Sequence, residues 1–164
     1  MRLMFARIGL ASLFAVALGF AVIATVQTAS ASTPEDGIVR VKSGYTTEET
    51  ITRVKKDIAD KGITFFFEID QQRLAADASI KLHRSTLLVF GNPALGTQFL
   101  TSNPNAGLDW PVRLLVQEDA QGQVWLVYTD FDYIARRHHI TDRAAAFTMA
   151  SKVIASIVSI VAPE

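Results

Sequence analysis

The chain has 164 residues, room for one domain, with 16 basic and 16 acidic residues and no cysteine. Lack of cysteine excludes disulfides, thiolate metal sites, c-type haem attachment and a lipidated amino-terminal cysteine. The charge balance gives no global field for nucleic acid, so neither DNA nor RNA is expected as a partner.

Arg2 and Arg7 precede an uncharged apolar run from Ile8 to Val26. Ala29-Ser30-Ala31 then supplies the small −3 and −1 residues of a signal-peptidase site. Cleavage after Ala31 is expected, leaving a periplasmic or secreted chain from Ser32 to Glu164. An uncleaved anchor is the alternative, because the run is roughly long enough to span a bilayer. Without Arg2 and Arg7 the remainder carries 14 basic and 16 acidic residues, a formal net charge of −2. A chain of this size without disulfides must be held together by its core.

Residues 32–37 read as a polar leader, and the domain is expected over 38–164. Ile38 to Ser43 alternates as a half-buried strand, Val39 and Val41 against Arg40 and Lys42. Thr46-Thr47-Glu48-Glu49 is a capping-box pattern. It opens a helix with Ile51, Val54 and Ile58 on one stripe and Lys55, Lys56, Asp57 and Asp60 on the wet face. Lys61-Gly62 ends it, the glycine suiting a left-handed cap. Ile63 to Asp70 is a second strand, with Ile63, Phe65, Phe67 and Ile69 assigned to one face. Gln71 to Ala78 is a short helix. Strands follow at Thr86 to Phe90, Val112 to Gln117 and Val124 to Thr129, the last two joined by a turn containing Gly122. Asp130 to His138 is another short helix. A long helix begins near Thr141-Asp142 and runs to about Val161. Its main stripe is Phe147, Ala150, Ile154, Ile157 or Val158, and Val161, with Met149, Val153 and Ile160 spreading its apolar character. Broad contact with the sheet explains that spread; a homodimer interface is the alternative.

The order β-α-β(4)-α, with short helical insertions, is an α+β domain: a mainly antiparallel sheet covered by two helices. The segment from Phe90 to Pro111 is rich in Gly, Asn and Pro yet carries Leu95, Phe99, Leu100, Leu108 and Trp110. That is too much apolar surface for a disordered linker, so a folded connection and a candidate site are expected there.

Several runs have a family character: Leu-Leu-Val-Phe-Gly-Asn-Pro-x-x-Gly-Thr from Leu87, then Asn103-Pro104 and Gly107-Leu108-Asp109-x-Pro111. They continue with Glu118-Asp119, Gly122-x-Val124-Trp125, Tyr133 and Arg137-His138. In combination they closely resemble the bacterial and archaeal family called domain of unknown function 302, over about Ile38 to Val161. Trp110 and Gln117 depart from more usual aliphatic and aromatic choices. The resemblance implies a TATA-box-binding-protein-like β-α-β(4)-α fold and no particular activity. Likeness of fold to a DNA-binding protein gives no warrant for DNA binding.

No phosphate loop, nucleophile elbow or paired-histidine metal spacing is present. His138 and His139 are adjacent and diverge on a helix; a zinc or copper site from His83, one of that pair and Asp109 or Asp132 is the alternative, but no supporting spacing is present and no metal site is assigned. Asn92, Asp109, Tyr133, Arg137 and His138 are expected to converge as a ligand site at the base of the long connection. One reading of that site is a cofactor-free module binding a small ligand or a protein. A second is an acid–base enzyme, with His138 as general acid or base and Arg137 orienting an anionic substrate. A third makes the segment a purely structural brace or dimerisation element, with His138 satisfying helix-end carbonyls and bonding an Asp such as Asp109.

Overall fold

A computed structural model describes residues 35–163, all within the compact unit Ser32–Glu164. The apolar run 8–26 and the cleavage motif at 29–31 lie outside the described residues. Five strands are formed: β1 (Ile38–Lys42), β2 (Thr64–Asp70), β3 (Ser85–Gly91), β4 (Val112–Glu118) and β5 (Val124–Thr129). They make one sheet in the order β1-β5-β4-β3-β2, with every neighbouring pair antiparallel. This is the expected β-α-β(4)-α domain.

Period-two alternation sets which residues are buried. In β4 Leu114 and Val116 are fully buried while Arg113 is exposed. They sit in register with Leu88 and Thr86 of β3 and with Tyr128 and Leu126 of β5. One face of the sheet thus presents an aliphatic layer to the two long helices. Helix α1 (Thr47–Asp60) starts at the capping box: the Thr46 hydroxyl accepts from Glu49 N–H and the Glu49 carboxylate accepts from Thr46 N–H. It buries Thr50, Val54 and Ile58 and stops at Gly62, whose φ of +63° is a left-handed value favourable to glycine. Helix α2 (Gln71–Asp77) follows β2 with Asp70 as its N-cap. Helix α4 (Phe131–Arg137) is capped by Asp130, and helix α5 (Ala144–Ser159) buries Phe147, Ala150, Ile154, Ile157 and Val158.

Four expectations change. The 90–111 connection is mostly helical: α3 (Pro93–Ser102) is followed by a short 3-10 helix (Pro104–Leu108). Each begins with an Asn cap and a Pro in its first turn, Asn92-Pro93 and Asn103-Pro104. Phe67 does not share the face of Phe65, because a bulge between them shifts the register. Phe65 pairs with Phe90 but Phe67 pairs with Val89, which leaves Phe67 52% exposed. Helix α5 starts at Ala144 rather than near Asp142, whose carboxylate instead accepts from the Ser102 hydroxyl at 2.6 Å. On α5 the spread of apolar residues beyond the main stripe is not burial: Met149 and Ile160 are exposed and Val153 is half-buried.

Candidate functional site

The Phe90–Pro111 segment folds back over the end of the sheet and makes one wall of a cavity. The Asn92 side chain accepts from Leu95 N–H at 3.2 Å and fixes the start of α3. One turn on, Gly96 is buried against the Trp110 indole. A methyl at Gly96 would fall 1.8 Å from Trp110 Nε1, and one at Gly91 would fall 3.1 Å from the same atom. The two glycines are therefore a seat for the Trp110 ring, which also meets Phe66 edge-on at 6.4 Å between centroids. The departure at Trp110 is thus matched by the absence of side chains at positions 91 and 96.

Between α3, α5 and the end of β3 lies a cavity of about 640 Å³. Phe90, Phe99, Val112 and Phe131 form its inner wall, Trp110 and Leu95 one flank, and Met149, Val153 and Ile154 of α5 the other. Phe99 is held from behind by a stacked contact with Phe147, 4.2 Å between centroids. Exposed Lys61, Asn92, Gln98, Lys152 and Ser156 stand at its rim. Among the described residues the two lysines are the only charged ones in its lining. The size and apolar walls are those of a small-molecule site.

The expected convergence of five residues is only partly realised. Asp109, Arg137 and His138 do meet: His138 Nε2 lies 2.6 Å from Asp109 Oδ2, and Arg137 Nη1 donates to Asp109 Oδ1 at 3.2 Å. A carboxylate only accepts, so the imidazole presents an N–H to it. His138 is 6% exposed. Its carbonyl accepts from Asn103 Nδ2 at 2.9 Å, and its backbone N–H caps α4. The cluster therefore ties the C-terminus of α4 to both ends of the 3-10 helix. Arg113 adds a bond from β4 to the Leu108 carbonyl. The cavity beside Asp109 is about 30 Å³, space for roughly one water, and His138 does not line it.

Asn92 is not in that cluster. It caps α3 at the rim of the large cavity, which Asp109 and His138 do not line. Val112 and Phe131 line both spaces and so form the partition between them. Tyr133 is also elsewhere: its ring packs where a side chain at Gly37 would lie and stands beside the Arg136 guanidinium. His139, with φ +53°, is the left-handed residue after α4 and is exposed. Among the described residues no group of three His, Cys, Asp or Glu side chains is arranged to hold a metal ion. The large cavity is the feature that sequence reasoning missed. Its visible traces were the surplus apolar residues Met149 and Val153 on α5 and the Asn-Pro helix start at 92–93.

A family model described as domain of unknown function DUF302 matches residues 39–160. The crystal structure of an uncharacterized conserved DUF302 protein from Bacillus stearothermophilus is similar in fold, with a TM-score of 0.70 and 14% sequence identity. The similarity covers 76% of this chain and 98% of that one. Among curated proteins, the fluoride-specific ion channel FluC 1 of Brucella suis biovar 1 is 36% identical over 110 residues, 67% of this chain and 43% of that protein. Its counterpart in Brucella abortus biovar 1 is 36% identical, with 41% of its length covered. The chain thus spans less than half the length of the curated relatives it matches. Among the described residues no helix is long and apolar enough to cross a membrane.

Proposed function

The chain belongs to the DUF302 family, whose name assigns no activity, and from that premise we propose that it is a cofactor-free module that binds a small, largely apolar ligand between α3 and α5. The observation that carries this reading is the 640 Å³ cavity walled by Phe90, Phe99, Trp110 and Phe131. Apolar surface left facing such a space costs free energy, and a ligand that covers it recovers roughly 25 cal/mol per Å² removed from water. The Phe90–Pro111 segment is then a wall of the site, and the Asp109–Arg137–His138 cluster braces it. Under the same reading the module acts outside the cytoplasm, in the periplasm or the medium, after cleavage near Ala31.

The test is saturable binding of N-phenyl-1-naphthylamine, a neutral apolar probe whose fluorescence rises in apolar surroundings. Wild-type protein is expected to saturate. Val153→Trp, which places an indole in the cavity from a half-buried wall position, is expected to lose the signal while keeping a folded far-ultraviolet spectrum. Absence of saturable binding by wild type, or undiminished binding by folded Val153→Trp, would overturn the proposal.

A further inference from the structure

Resting on that apolar-ligand reading, we infer that the ligand is an anionic single-chain amphiphile, a long-chain alkyl carboxylate, with its head group held at the rim by Lys152. The cavity is divided by chemistry. Its buried lining is aromatic and aliphatic, Phe90, Phe99 and Phe131 among it, while the polar residues of its lining are exposed. Such a site accepts an apolar chain and leaves a polar end near water.

The rim also carries a sign. Lys61 and Lys152 line the cavity and among the described residues no Asp or Glu does, in a protein whose acidic and basic residues are equal in number. The two lysines are not equivalent. Lys61 Nζ is held by Asp57, with both carboxylate oxygens within 2.6 Å, so its charge is already answered. Lys152 makes no ion pair among the described residues. It stands on α5 beside Val153, one turn beyond the exposed Met149, and both neighbours also line the cavity. A flexible ammonium on a four-carbon stem can reach a carboxylate at the mouth while its methylenes lie along the apolar wall. Met149, unbranched and adaptable, suits contact with an alkyl chain of variable length.

The experiment is calorimetric titration of the protein with dodecanoate and dodecyltrimethylammonium below their micellar concentrations and with 1-dodecanol below its aqueous solubility. Dodecanoate is expected to bind about tenfold more tightly than dodecanol, and the cation more weakly than either. Lys152→Gln is expected to remove most of the preference for dodecanoate and leave dodecanol affinity unchanged. Lys61→Gln, whose charge is engaged by Asp57, is expected to change it less than about twofold. The preference should shrink as salt is raised. Dodecanol binding as tightly as dodecanoate would overturn the anionic head group while leaving the apolar cavity in place. Binding of none of the three would overturn both. A preference that survives Lys152→Gln, or falls equally in Lys61→Gln, would overturn the assignment to Lys152. Both lysines are exposed, and an unchanged melting temperature confirms that each variant is folded.

Discussion

Asp119 holds the turn between β4 and β5 through three hydrogen bonds. Its Oδ1 accepts from the backbone N–H groups of Gln121 and Gln123 at 3.0 and 2.9 Å, and its Oδ2 accepts from the Trp125 indole at 2.8 Å. The bond from Trp125, followed by that from Gln123, holds the carboxyl below its ordinary value of 3.8. A carboxyl lowered on folding favours the native state when ionised. Its contribution is therefore complete above the ordinary value and is lost as pH falls through the folded-state value. Asp119→Asn should be less stable than wild type at pH 7, and its deficit should be smaller at about pH 3. Denaturant midpoints at the two pH values check this, and an undiminished wild-type advantage in acid would contradict it. Glu118-Asp119 and Gly122-x-Val124-Trp125 were legible as motifs. The bond from Trp125 to Asp119 was not, because only strand pairing returns the indole to the turn.

At the scale of elements, the Asp109–His138 contact joins the end of the 3-10 helix to the end of α4. Removing the imidazole leaves a 9% exposed carboxylate with Arg137 as its remaining side-chain partner. His138→Ala should therefore lower stability by about 1–3 kcal/mol while leaving N-phenyl-1-naphthylamine binding saturable. Thermal or denaturant unfolding beside the dye titration separates the two effects. Loss of binding by the folded variant would place His138 in the site rather than behind it. The pairing of His138 with Asp109 was legible as a helix-end histidine near a loop aspartate. Helix α3 was legible only in its Asn-Pro start, since Gly96 and the polar run around it weaken the helical pattern. The bulge at Phe66 was not legible at all. A bulge inserts one residue without changing the run of aromatic side chains, so alternation carried through Phe67 and assigned it to the wrong face.

For the whole molecule, the described domain from β1 to the end of α5 occupies a continuous unit that begins after Ala31. Cleavage at the Ala29-Ser30-Ala31 motif leaves that unit entire. Under the export reading, protein recovered from the periplasm should begin at Ser32, as read by intact mass and terminal sequencing. A full-length chain retained in the membrane fraction would instead identify 8–26 as an anchor. The cavity belongs to this scale as well, since α3, α5 and the sheet supply separate walls.

Local periodicity located the five strands and the two long helices, and the capping box fixed the start of α1, because these signals are carried by near neighbours in the chain. The bounds of β5, the capping box at Thr46 and the break at Gly62 all follow from such local rules. The family was also readable, since its signature residues sit in turns and helix starts. Tertiary structure alone decided where the candidate site lies. Asn92, Asp109 and Tyr133 are polar residues in suggestive places, but the partition of Val112 and Phe131 separates Asn92 from Asp109. A cavity is space left between elements after they pack, and no one element's sequence records it. Lys152, Met149 and Trp110 come to line one space only when α5 and the Phe90–Pro111 segment stand on either side of it.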